Sequence, residues 1–166
     1  MEIKWVDTHC HLQLLNKNLD ENHFKNIEFL VIPGVDVESS SKAKEISSSL
    51  EVESYWSAGL HPHDAKLLDT QRHDLEKLFV EADLIGETGL DFYRNLSTKE
   101  EQRENFLFHL EFSKQLNKPI IIHCRDSFQD TYDLLVEFNN PSSVILHSWT
   151  GGRTVSYTHL RAHETS

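Results

Sequence analysis

Short apolar runs alternate with polar, amphipathic stretches along this chain. Six runs predict β-strands, over residues 3–6, 29–32, 52–58, 84–85, 119–123 and 144–147. Several of the runs are continuously apolar instead of alternating, which is typical of strands that are buried on both faces of a parallel sheet. Apolar residues at helical spacing between the runs predict helices over residues 38–50, 70–82, 97–116 and 127–138, and residues 20–28 are compatible with a helix.

One predicted helix has clear signals at both ends. Ser97 with Glu100 and Thr98 with Glu101 form two overlapping capping boxes at its start. Asn117, followed by Pro119, is expected to stop it. The strand-helix unit repeats about six times with short connections. This predicts an α/β fold of right-handed parallel units, either a doubly wound sheet or an incomplete barrel.

Composition narrows the class of protein. The chain of 166 residues is 38% hydrophobic and 26% charged, which suits one globular domain. Its net charge of -11 excludes binding of nucleic acid through bulk charge, so a phosphate-bearing substrate needs a local site, such as one whose cations are metal ions. Cys10 and Cys124 have no paired spacing and predict free thiols and a cytoplasmic location. No leader and no apolar run of about 18 residues is found, so no membrane span is predicted.

The end of the chain breaks the pattern. Residues 153–166 have neither an apolar stripe nor a strand-like run. We interpret residues 1–152 as the folded domain and residues 153–166 as an unrelated or disordered tail.

Metal-capable side chains follow the predicted strands. They are His9 and His11 after the first strand, His61 and His63 after the third, Glu87 after the fourth, His123 at the end of the fifth and His147 at the end of the sixth. The carboxyl ends of parallel strands are where α/β folds build their sites. A lone histidine there is usually an ordinary polar strand end, but so many on neighbouring strands indicate a metal site.

The His9–His11 pair lies on one face of its strand end, because residues two apart on a strand point the same way. Asp7 is in phase with them, and we expect it to orient one imidazole.

The sequence resembles the TatD family of metal-dependent deoxyribonucleases and related hydrolases. The matching motifs are Asp7-Thr8-His9-Cys10-His11-Leu12, Gly59-Leu60-His61-Pro62-His63, Gly86-Glu87-Thr88-Gly89-Leu90-Asp91-Phe92, Ile122-His123-Cys124-Arg125-Asp126 and Leu146-His147-Ser148-Trp149-Thr150-Gly151. The resemblance implies a TIM-barrel-like (β/α)8 metallo-hydrolase, incomplete here with about six of eight strand-helix units. It also implies two divalent metal ions (Zn²⁺, Mn²⁺, Ni²⁺ or Mg²⁺) and cleavage of phosphodiester bonds, typically 3′ to 5′ on DNA.

The same resemblance implies roles for individual residues. His9 and His11 are implied as ligands of one metal, and His123 and His147 as ligands of the second. Glu87 is implied as the carboxylate that bridges the two ions. Such a pair can polarise a phosphoryl oxygen and hold a hydroxide at neutral pH.

Other residues near the motifs have two interpretations each. Arg125 either offers its planar guanidinium to a phosphate or is a surface arginine on a loop. His61 and His63 either line the substrate entrance or belong to a loop stiffened by proline. Asp91 and Tyr93 are either part of the loop over the site or core and turn residues.

The sequence also departs from the family pattern. A closed barrel usually needs about 250 residues, and the family's last strand carries a Glu-Thr-Asp segment whose aspartate is the expected general base. Glu164-Thr165-Ser166 does not match that segment. We therefore expect this chain alone to be a weak or inactive hydrolase. The resemblance favours a TatD-like phosphodiesterase. The alternatives are a barrel metallo-hydrolase that acts on another ester or amide, and an inactive metal-binding fragment. A monomer is expected.

Overall fold

Six parallel strands form a single sheet in the computed structural model, which describes residues 3–15, 20–138 and 143–147. The strands lie in chain order, each hydrogen-bonded to the next. They are β1 (Trp5–Asp7), β2 (Ile27–Pro33), β3 (Glu53–Ala58), β4 (Leu84–Asp91), β5 (Ile120–Arg125) and β6 (Val144–His147). The predicted tail, residues 153–166, lies outside the described residues.

Four α-helices connect the strands. They are α1 (Val37–Ser49), α2 (Leu68–Glu81), α3 (Lys99–Leu116) and α4 (Phe128–Glu137). At the start of α3, the Thr98 hydroxyl accepts the Glu101 backbone N–H and the Glu101 carboxylate accepts the Thr98 N–H. Asn117 ends the helix in the left-handed conformation. The strand-helix alternation and the predicted stop at Asn117 are confirmed. Of the two capping boxes predicted at the start, Thr98 with Glu101 forms, whereas the Ser97 hydroxyl donates to the His63 carbonyl instead.

Two segments differ from their predictions. Residues 20–28 do not form one helix. Glu21–Phe24 is a 3-10 turn, and β2 already begins at Ile27 because that residue pairs with β1. The fourth strand is much longer than residues 84–85 and continues to Asp91. It contains Gly86 and Gly89, and two glycines so close together resemble a turn in the sequence. Both residues have positive φ angles, 107° and 131°.

The strands are packed differently on their two faces. The outer face carries the main core, where α1, α2 and α3 bury residues such as Ile32, Phe79 and Phe106. A small second cluster, Val31, Leu84 and Ile121, lies on the other face. His123 follows Ile121 by two residues on the same strand, so it projects from this second face.

The sheet is curled into part of a barrel. The carboxyl ends of β1 and β6 lie at opposite edges of the strand order, yet the rings of His9 and His147 are in contact. The prediction of an incomplete TIM-barrel-like fold is therefore confirmed. Within the described residues, no helix has the length and apolar character that crossing a membrane requires.

Candidate metal centre

Glu87 lies at the centre of a cluster of histidines at the carboxyl ends of the strands. Its side chain is almost fully buried. Oε2 lies 3.2 Å from His9 Nε2 and 3.5 Å from His11 Nε2. Oε1 lies 3.0 Å from His123 Nδ1, 3.8 Å from His61 Nε2 and 3.9 Å from His147 Nε2. The two carboxylate oxygens therefore face different histidines, which is the geometry that a bridging ligand requires.

Two groups of three side chains are close enough to hold a metal ion. One is His9, Glu87 and His147, and the other is His61, Glu87 and His123. Within each group, the ligand atoms all lie within 4.8 Å of one another. Glu87 belongs to both groups.

The structure brings together all five side chains that were predicted as ligands, and their roles stay predictions. The grouping differs from the predicted one in two respects. His147, predicted beside His123, also lies against His9. His61, predicted at the entrance or in a stiffened loop, joins His123 and lies 3.3 Å from its Nδ1. His11 lies next to His9, with their Nε2 atoms 3.1 Å apart.

Hydrogen bonds on the far sides of two rings orient the near-side nitrogens toward Glu87. His11 Nδ1 lies 3.0 Å from the Pro33 carbonyl, which can only accept, so Nδ1 carries the proton. His123 Nε2 in the same way lies 3.1 Å from Asp91 Oδ2. The unprotonated nitrogens of both rings then face the Glu87 carboxylate. Because the nitrogens and the carboxylate are all acceptors, the space between them suits a cation. This pattern, a metal-binding histidine held by a carboxylate or carbonyl, is typical of metal sites.

Asp91, for which the sequence allowed two interpretations, lies against the cluster. It is fully buried, and its Oδ2 also accepts from His63 Nε2 at 2.9 Å. Its Oδ1 accepts the backbone N–H groups of Tyr93 and Arg94, both at 3.0 Å. A signal was available, because Glu87 and Asp91 are four residues apart and share a face if the strand continues. The glycines between them concealed that continuation.

Three members of the cluster have the charge states that metal ligands require. Burial acts to raise the pKa of Glu87, but the close contacts of its carboxylate with His11, His123 and His9 outweigh burial, and the pKa is lowered. Burial lowers the pKa of His61 to about 3, and burial together with His9 lowers the pKa of His147. At neutral pH, Glu87 is therefore ionised and these two imidazoles are neutral.

Three other predicted residues lie around the cluster. Arg125 ends β5, and its guanidinium carbon lies 3.9 Å from the ring centroid of the exposed Tyr93. The phosphate-binding role of Arg125 stays a prediction. Asp7 Oδ1 accepts the backbone N–H of His9 at 3.1 Å, so Asp7 fixes the strand end instead of orienting a ring.

Both thiols make contacts away from the cluster. Cys10 Sγ donates to the Val31 carbonyl at 3.2 Å, and burial, with Asp7, raises its pKa to about 12. Cys124 is buried 3.7 Å from the Ser127 hydroxyl. Neither cysteine belongs to the metal-capable groups found in the described part of the chain.

A cavity of about 340 Å³ opens onto the cluster. Its lining includes His61, His63, Glu87, His123 and His147. A larger hollow of about 830 Å³ lies at the amino ends of β2 and β3, where Asp20, Glu28 and Glu53 make its lining acidic. We place the site in the smaller cavity, because ligands bind at the carboxyl ends of the strands in this architecture and the metal-capable groups are there.

The sequence also matches a known protein family. The model of the family described as "TatD related DNase" matches residues 6–162. The chain belongs to the TatD family.

Relatives and solved structures agree with this assignment. The chain is 32% identical to an uncharacterized metal-dependent hydrolase of Buchnera aphidicola over 88% of its own length and 62% of that protein. It is 35% identical to the 3′-5′ ssDNA/RNA exonuclease TatD of Escherichia coli over 75% of its length and 49% of that protein. The crystal structure of YJJV, a TatD homologue from Escherichia coli, superimposes with a TM-score of 0.86 at 20% identity, over 98% of this chain and 67% of that one. The chain thus spans about half to two thirds of the TatD-like proteins that it matches.

Proposed function

We propose that this chain carries the metal centre of a TatD-type hydrolase that binds two divalent metal ions and cleaves phosphodiester bonds in nucleic acid. The observation that supports this most directly is the position of Glu87. One of its oxygens faces His9 and His11, and the other faces His61, His123 and, at 3.9 Å, His147. When bound, a pair of ions supplies an activated water and a positively charged template for the phosphoryl oxygens.

The residues divide between two ions in this proposal. His9 and His147, with His11 beside them, would hold one ion, and His61 with His123 would hold the other. The ionised Glu87 carboxylate would contribute to both. A donor set of imidazoles and a carboxylate suits Zn²⁺, Mn²⁺ or Ni²⁺, whereas Mg²⁺ prefers oxygen ligands and fits less well.

Nucleic acid is the proposed substrate, since the similar Escherichia coli protein is a 3′-5′ ssDNA/RNA exonuclease. With a net charge of -11, the chain needs a local cation to attract a phosphate. Arg125 can provide a guanidinium two residues beyond His123, and the Tyr93 ring fixes its position. The cytoplasmic location stays a prediction from the two unpaired cysteines, and the monomeric state stays an expectation.

The domain boundary also stays a proposal, with residues 1–152 as the barrel domain and residues 153–166 as a separate tail. The proposal rests on metal-capable side chains, so metal binding is the property to test first.

The test is a titration with Mn²⁺ or Zn²⁺ by calorimetry, using the chain, Glu87→Gln and Glu104→Gln. Glu104 is an exposed glutamate paired with Arg72, so its variant is a matched control that also removes one charge. We expect two ions per chain for the parent and the control, and a loss of about 100-fold or more in affinity for at least one ion in Glu87→Gln. Equal stoichiometry and affinity in all three proteins would contradict the bridging role.

Activity is then measured on 3′-labelled single-stranded DNA and RNA. Arg125→Met is expected to raise KM by about 10-fold, because the guanidinium contact with a phosphate is lost while the metal ligands remain. An unchanged KM would assign Arg125 to the surface.

A further inference from the structure

Helix α3 carries a stripe of buried polar side chains that faces the strand ends. Gln102, Asn105 and His109 are all fully buried, and they lie on one side of the helix at spacings of three and four residues. Buried amides and imidazoles are costly unless they are hydrogen-bonded. The partners of these three side chains therefore show what the stripe holds.

Gln102 binds both backbone groups of Asp91. Its Oε1 accepts the Asp91 N–H at 2.8 Å, and its Nε2 donates to the Asp91 carbonyl at 3.1 Å. The same Nε2 donates to the Ser97 carbonyl at 3.0 Å, and the Ser97 hydroxyl donates to the His63 carbonyl at 2.9 Å. Gln102 thus fixes the residue whose carboxylate orients His123 and His63.

Asn105 and His109 bind both backbone groups of Leu60, the residue before His61. The Leu60 N–H donates to His109 Nε2 at 3.0 Å, and Asn105 Nδ2 donates to the Leu60 carbonyl at 2.7 Å. His109 Nδ1 donates to the Asn105 carbonyl at 2.8 Å, which requires the neutral ring with its proton on Nδ1. This pair fixes the backbone from which His61 projects.

The two sets of bonds converge on one half of the metal centre. We infer that the Gln102–Asn105–His109 stripe of α3 positions the His61–Glu87–His123 group, and not the His9–Glu87–His147 group. His61 is reached through Leu60, and His123 is reached through Asp91. The hydrogen bonds of these three side chains within the described residues go to β4, to the β3 end, to Ser97 and to α3 itself, and none goes to β1 or β6. The inference rests on the proposed function for its metal-binding consequence.

The variants remove the contacts with little change in volume. Gln102→Met removes the amide, and His109→Phe removes the ring nitrogens in an aromatic environment formed by Phe79 and Phe108. His109→Gln restores an acceptor and a donor and is the rescue variant. Ser113→Ala is the matched control, because Ser113 is equally buried on α3 but donates to the Lys118 carbonyl, away from the site.

Metal titration with Mn²⁺ or Zn²⁺ alone provides the first readout. Gln102→Met and His109→Phe are expected to lower the affinity for one of the two ions by about 10- to 100-fold. The affinity for the other ion is expected to stay unchanged. Ser113→Ala is expected to keep both affinities even if its thermal stability falls. Equal weakening of both ions in the α3 variants, in proportion to the loss of stability, would assign the stripe a purely structural role.

A metal-free readout separates failure of this inference from failure of the proposed function. The ¹⁵N chemical shifts of the His123 and His61 rings are measured in the metal-free chain. Gln102→Met is expected to shift the His123 signals, His109→Phe the His61 signals, and His109→Gln to restore the latter. Unchanged ring signals would overturn the inference, whereas a parent chain that binds no ion would overturn only the proposed function. If Gln102→Met does not fold, the comparison of His109→Phe with His109→Gln tests the inference.

Discussion

The rings of His9 and His147 stack with their centroids 3.4 Å apart and their planes within 4° of parallel. Their strands, β1 and β6, are the two outermost strands of the sheet. In a flat sheet, five steps of about 4.8 Å would separate these strands by roughly 24 Å. The contact therefore depends on the curl of the whole sheet, and it makes one metal-capable group out of residues from opposite edges.

A double-mutant cycle tests this grouping. His9→Ala and His147→Ala are each expected to lower the affinity for the same ion by about 10-fold or more. The loss of affinity in the double variant is expected to be smaller than the product of the two single losses. His9→Ala combined with His61→Ala is the comparison, because these residues belong to different groups. Calorimetric titration measures both cycles. Independent, multiplicative effects of His9 and His147 would contradict the grouping.

Asp91→Asn is expected to weaken metal binding by about 10- to 100-fold without unfolding the chain. The asparagine keeps an oxygen for the N–H groups of Tyr93 and Arg94, but its amide cannot accept from both His123 and His63. Burial acts to raise the pKa of Asp91, yet hydrogen bonds from the Arg94 N–H, His63 and His123 lower it to about 2. Asp91 is therefore ionised at any pH used for the metal titration. Metal affinity unchanged from that of the parent would show that His123 needs no such partner.

We expect the folded chain to lose stability in mild acid because of His109. Burial lowers its pKa from 6.5 to about 4 in the folded chain, and the nearby Arg72 acts in the same direction. The unfolded state therefore takes up the proton first, so the stabilisation is complete above pH 6.5 and is lost as the pH falls toward 4. The difference corresponds to about 3 kcal/mol.

Urea unfolding of the metal-free chain and of His109→Gln between pH 7.5 and 4.5 measures this effect. The stability gap between the two proteins is expected to narrow as the pH falls, since only the parent has a histidine to protonate at this position. A gap that stays constant over that range would show that His109 does not titrate on unfolding.

Gly89→Ala is expected to reduce both stability and metal binding. Gly89 has a φ of 131°, and an added Cβ would lie 2.2 Å from the His123 carbonyl oxygen. Such backbone strain costs on the order of 1–3 kcal/mol, and relieving it requires β4 and β5 to separate at His123. Urea unfolding and metal titration measure the two effects. Retention of both properties would show that β4 can accept a side chain here.

Thr98→Ala is expected to destabilise the chain by about 1 kcal/mol, because the helix loses its N-cap hydrogen bond to the Glu101 N–H. Thr98→Ser keeps the hydroxyl and is expected to retain most of the stability. Metal affinity is expected to be the same in all three proteins, since this cap lies outside the stripe. A metal affinity that fell with Thr98→Ala would mean that the start of α3 also acts on the site.

The sequence by itself determined the parts of this protein that depend on local periodicity. Continuous apolar runs, helical spacing and the capping box at Thr98 were sufficient for the strands, the helices and their order. The histidines at the strand ends could be found as well, because a parallel sheet places all its carboxyl ends at one edge. The extent of β4 was missed, since its glycines have the composition of a turn.

Only the tertiary structure decided which of these residues meet. The stacking of His147 on His9 results from the curl of the sheet, which is a property of all six strands together. The partners of Asp91 and the burial of Gln102 and His109 depend on how α3 packs against the strand ends. A polar stripe on a helix has the same spacing whether it faces solvent or a buried backbone, so its role becomes visible only when the packing is known.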